Sequence, residues 1–77
     1  MPERLGTLRA WAKALRWAGV EGFIRTLAWE HGLDVDRMEV DKGWIRVTIR
    51  YQVSGFESDL HRFRRAMRAA VKEYNAN

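Results

Sequence analysis

The stretch Trp44-Ile45-Arg46-Val47-Thr48-Ile49-Arg50-Tyr51-Gln52-Val53 alternates without a break. Ile45, Val47, Ile49, Tyr51 and Val53 take one side, while Trp44, Arg46, Thr48, Arg50 and Gln52 take the other. Successive side chains of a strand point to opposite faces, so this is the pattern of a strand with one face buried. After Ser54 and Gly55 the period changes. Leu60, Phe63, Met67, Ala70, Val71 and Tyr74 then fall on one stripe of a helix. Strand followed by helix gives an α+β class.

Working back from the strand, Asp41, Lys42 and Gly43 form a plausible tight turn. Met38 and Val40 share a face before it, which predicts a hairpin pairing 35–41 with 44–53. Further back, Val20, Phe23, Ile24, Leu27, Ala28 and His31 make a helical stripe that ends at Gly32. Leu5, Leu8, Trp11, Ala12, Leu15 and Ala18 recur at helical spacing between Pro2 and Gly19, which predicts a first helix over 3–18. The last helix is expected to start near Glu57 or Ser58, with Ser58 as its cap and Asp59 at the positive end of its dipole. The expected architecture is one domain over 1–77 in the order ααββα, an antiparallel β-hairpin packed against helices, with a frayed end at 75–77.

Seventy-seven residues that are 47% apolar can build one core. A domain this small buries only about 60% of the surface its unfolded chain exposes. With no cysteine, neither a disulfide nor a thiolate metal site can supply extra stability. Self-association is the remaining route, and a homodimer is a reasonable expectation. Charged residues interrupt every apolar stretch, so no run approaches the roughly 20 residues of a membrane span. The first residues show no apolar signal region, which fits a cytoplasmic location.

Little in the chain suggests catalysis or a cofactor. His31 and His61 lack the short spacing to a second ligand that marks a metal site. Glu57 and Asp59 sit where acids favour a helix start, so their closeness has a structural reason. Ser54 and Ser58 lie outside any nucleophile-elbow context, and the glycines form no phosphate-binding fingerprint. Gly19-Val-Glu-Gly22 is only a faint echo of one, with no strand before it. A helix-turn-helix is disfavoured because Arg25 stands where an apolar residue is needed. The expectation is a protein that is not an enzyme and holds no cofactor.

What remains is surface. Fourteen basic residues, eleven of them Arg, oppose ten acids, for a net charge of +4 and a pI near 10.1. Arginine suits bidentate contact with phosphate or carboxylate and stacking on aromatic rings. On the last helix Arg64, Arg65, Arg68 and Lys72, with His61 and Arg62 nearby, lie off the apolar stripe as a basic face. Arg9, Lys13 and Arg16 make a shorter basic stripe in the first helix. On the outer strand face Trp44 joins Arg46 and Arg50, the composition of a protein hot spot or of a base-stacking platform. Trp17 and Trp29 lie off their helices' main stripes, which favours a protein contact.

The sequence reading is therefore a small regulator or inhibitor that docks on another protein. Its partner-binding residues are Trp44, Arg46, Arg50, Arg64, Arg65, Arg68 and Lys72. Nucleic-acid binding through the same residues ranks second, and a structural subunit of a symmetric oligomer third.

Overall fold

The computed structural model describes residues 4–15 and 19–76. Strand β1 (Leu5–Leu15) is followed by helix α1 (Val20–Glu30), strands β2 (Asp34–Lys42) and β3 (Arg46–Phe56), and helix α2 (Glu57–Ala76). The class is α+β, as expected, but the order is βαββα rather than ααββα. The sheet has three antiparallel-paired strands in the order β1-β3-β2. β1 and β2 therefore run parallel with β3 inserted between them, a split βαβ unit extended by α2.

The correction falls on the first segment, expected as a helix and observed as a strand. Leu5–Leu15 also alternates. Leu8, Ala10 and Ala12 pair with Val53, Tyr51 and Ile49 on the inner face, and Arg9, Trp11 and Lys13 pair with Gln52, Arg50 and Thr48 on the outer. A two-stranded sheet is marginal in water, whereas a third strand gives β3 a neighbour on both sides. That tertiary gain overrides the helix preference of Ala, Leu, Lys and Arg. Leu5 and Trp11, read as core positions of a helix, are instead 75% and 64% exposed. Pro2, Arg16, Trp17 and Ala18 lie outside the described residues, as does Asn77.

The second segment is the expected helix. Val20, Ile24 and Ala28 are buried at four-residue spacing. Its C-terminus closes in a Schellman motif: the Leu33 N–H donates to Ala28 O (2.9 Å) and the Gly32 N–H to Trp29 O (3.0 Å). Gly32, at φ 70°, takes the left-handed position that this motif requires. His31 Nδ1 donates to Leu27 O at 2.8 Å, satisfying one of the last carbonyls of the helix.

The hairpin is present, with 34–42 facing 47–54 and a bulge between Val35 and Arg37. Its loop is Gly43, Trp44 and Ile45, closed by a Gly43 N–H to Arg46 O bond of 2.8 Å. Trp44 therefore belongs to the loop and not to the strand. Ile45, expected on the buried face, is 59% exposed. At its other end β3 continues through Ser54 and Gly55 to Phe56, pairing Leu5 with Phe56, and runs directly into α2. Ser58 lies inside the first turn of α2, one residue past its start at Glu57. The Glu57 N–H donates to Arg4 O at 2.9 Å.

One core lies between the inner sheet face and the helices. Ile49, Tyr51 and Val53 of β3 meet Ile24 and Ala28 of α1 and Leu60, Phe63 and Met67 of α2. Phe63 is fully buried and stands edge-on to Tyr51 (5.9 Å) and to His31 (6.2 Å). Edge-to-face pairs of this kind add to the area they bury. No helix, among the described residues, is long and apolar enough to cross a membrane.

Candidate functional site

With both helices on the inner side, no described element covers the outer sheet face. Its side chains line up in cross-strand rows from β1 through β3 to β2: Arg9, Gln52, Arg37; then Trp11, Arg50, Glu39; then Lys13, Thr48, Asp41. Charge is sorted across these rows. The β1 and β3 columns contribute Arg9, Lys13, Arg46 and Arg50 and no acid, whereas β2 contributes Asp34, Glu39 and Asp41 with Arg37. The Arg37–Glu39 pair, at 3.7 Å, sits within the β2 column. Positive potential is thus concentrated on the β1–β3 half.

Trp11 stands in the middle of that half. Its ring carries the Lys13 Nζ at 5.3 Å from the centroid, a cation–π contact. Arg9 is held alongside by a hydrogen bond from its Nε to Gln52 Oε1 at 3.0 Å. Alternation puts Arg9, Trp11 and Lys13 on one face because they are two residues apart, and pairing puts Arg50 directly opposite Trp11. Beyond Lys13, a depression of about 450 Å³ runs to the hairpin loop, where Arg46 and Trp44 line it. Trp44 is 96% exposed there. Lys13 and Arg46 therefore lie on the path between the two tryptophans, with Asp41 on the β2 side of the depression.

A second basic surface comes from α2. Arg64 and Arg68 reach the margin of β1, where with Arg9 and Lys13 they border a groove of about 500 Å³ floored by Ala10, Ala12, Met67 and Val71. His61, Arg64, Arg65 and Arg68 surround a smaller depression of about 230 Å³. Helical spacing explains the arrangement: Arg64 and Arg68 flank the buried positions Phe63 and Met67 on the β1 side. Arg64 also comes close enough to Tyr51 to oppose the effect of burial on its hydroxyl, which is held above the usual 10.0 chiefly by desolvation. Arg62 is turned elsewhere and pairs with Asp59 at 3.6 Å.

Of the residues singled out from the sequence, Arg46 and Arg50 share the outer sheet face and Trp44 borders it from the loop. Arg64 and Arg68 join it around the β1 edge. Arg65 and Lys72 are exposed on α2, with Arg65 at the small depression. Sequence reasoning missed Trp11 altogether, because the helix reading placed it in the core. The available signal was the alternation Arg9, Trp11, Lys13, which the helical spacing of the same stretch masked.

Comparison of the chain with protein-family models, with curated proteins and with solved structures finds no match in any of the three.

Proposed function

We propose that the protein is a non-catalytic binder of single-stranded nucleic acid, which lies along the β1–β3 half of the outer sheet face. The supporting observation is Trp11: a largely exposed ring on a helix-free sheet face, framed by Arg9, Lys13 and Arg50 with no acid in its own strand. Bases of any identity stack on an aromatic side chain, and cations beside the ring meet the phosphates. Trp44 offers a second stacking position and Arg46 a further cation. A flat open face suits a single strand, whose bases can be splayed out, better than a duplex groove.

The test is fluorescence anisotropy of a labelled oligo-dT against the same length of duplex, over a salt series. Affinity for the single strand should exceed that for the duplex and fall with a log–log slope of about −0.7 per phosphate contacted. Trp11→Ala should weaken binding by about 1–3 kcal/mol. Absence of binding at about 50 mM salt, or binding indifferent to Trp11→Ala, refutes the reading.

A protein partner is the second reading, favoured by the hairpin tip. Trp44 and Ile45 stand out together there, and Trp29 on α1 is 80% exposed with no cation–π partner among the described contacts. Exposed aromatics of this kind are enriched at protein interfaces. That reading expects Trp44→Ala to abolish capture of the partner, with little dependence on salt.

A further inference from the structure

Among the described residues β1 has β3 on one side and no strand on the other, so a row of its backbone groups faces outward. Edge strands are normally defended by proline, by a bulge, by charged side chains or by brevity. Of these β1 has only two cations, Arg9 and Lys13, both on its outer face. It is eleven residues long, pairs with β3 in unbroken register, and contains no proline and no charge at its inner positions. β2, the other edge, carries the bulge at Val35/Arg37 and the acids Asp34, Asp36, Glu39 and Asp41.

This edge, guarded by cations alone, opens on a groove with a definite chemistry. Small side chains, Ala10 and Ala12, leave room between β1 and α2, and Met67 and Val71 give an apolar floor. All four charged residues that line the groove are cations: Arg9 and Lys13 above, Arg64 and Arg68 below. A second copy pairing through its own β1 would bring these cations against their like. An incoming strand with the opposite charge meets no such penalty.

We infer that the β1 edge accepts an extended acidic segment of a partner protein as a fourth strand. Backbone hydrogen bonds to β1 supply affinity, as in other strand additions. Alternate small apolar side chains of the segment lie over Met67 and Val71, and the intervening acids lie beside Arg9 and Lys13. Arg64 and Arg68 close the rim. The inference does not depend on nucleic-acid binding, because its hydrogen bonds are made by the β1 backbone. The two ligands do share Arg9 and Lys13, so occupancy of the edge lowers the affinity of the face for oligo-dT.

The probe is a ten-residue peptide alternating Glu and Val, added to the full chain and read by residue-resolved amide hydrogen exchange. At a peptide concentration about ten times its dissociation constant, the outward-facing amides of β1, every second residue, should exchange about tenfold more slowly. The same peptide N-methylated along one edge should give no protection. A Lys-Val peptide should not bind, and Arg64→Glu with Arg68→Glu should weaken the Glu-Val peptide at least about tenfold. Three outcomes overturn the inference: no protection of β1, equal protection by the N-methylated peptide, or protection that grows with protein concentration alone, which would make a second copy the occupant. Protection of the same β1 amides by oligo-dT but not by peptide would assign the groove to nucleic acid instead.

Discussion

Strands β1 and β2 both flank β3, yet they meet solvent differently. β2 is interrupted by a bulge and carries four acids, and α1 closes over its inner side. β1 is regular and acid-free, and its inner side chains are small enough to leave a groove against α2. The difference teaches that an edge can be protected against one class of neighbour only. Like charge disfavours the pairing of two β1 strands and favours an extended anion. Both proposed ligands, a nucleic-acid strand and an acidic peptide, therefore fall to the β1 half, whereas β2 carries the bulge and the acids.

The largest expected effect ignores this asymmetry and so calibrates it. Ile49 is fully buried in the row between Ala12 and Val40. Ile49→Ala should cost about 2–5 kcal/mol in urea unfolding, with both halves lost in one transition. Separate transitions for the two halves would break the picture of a single core. Next comes a pair of glycines facing each other across β1 and β3, Gly6 and Gly55. A Cβ on Gly55 would collide with Leu33 Cδ2 on the β2 side, whereas one on Gly6 would sit 3.3 Å from Leu60 Cδ1. Gly55→Ala should therefore cost about 1–3 kcal/mol, and Gly6→Ala clearly less, as thermal melts of the two variants would show. Equal costs would mean that the β1 side is as tightly packed as the β2 side.

Tyr51 gives a pH test of the β1 half. Its hydroxyl is held above the usual 10.0 by burial, partly offset by Arg64. The unfolded chain ionises first as pH rises, so the folded state loses stability as pH climbs above the unfolded value. Denaturation midpoints should fall above about pH 10 in the native chain and fall less in Tyr51→Phe. The smallest effect belongs to the β2 edge. Glu39→Gln removes the exposed pair with Arg37 and should change stability by less than about 1 kcal/mol. A larger loss would show that β2 charges hold the edge in place as well as guarding it.

β3 was legible because its inner positions are Val, Ile and Tyr, residues that prefer strands, in strict alternation. α1 was legible because Gly32 marks its end, and α2 because Leu60, Phe63 and Met67 keep helical spacing over an acidic first turn. β1 was not. Leu5, Leu8, Trp11, Ala12 and Leu15 satisfy a helical stripe, while Leu8, Ala10 and Ala12 against Arg9, Trp11 and Lys13 satisfy a strand. The choice between them depends on β3, far along the chain, having a vacant side. The candidate surface inherits the same split. Arg46, Arg50 and the α2 arginines could be named from local pattern, but Trp11 and the β1 groove exist only once the long-range pairing is made.

That pairing also sets the order in which the molecule can form. β2 and β3 close a hairpin over Gly43–Ile45, a short loop with little entropy to lose, whereas β1 pairs with β3 across a much longer stretch, from Leu15↔Arg46 to Leu5↔Phe56. Docking of β1 is therefore expected to be the slow step, since non-local contacts must absorb their closure cost before they stabilise anything. Docking of β1 is accordingly expected to follow the hairpin in refolding, with one side of β3 unpaired until it arrives.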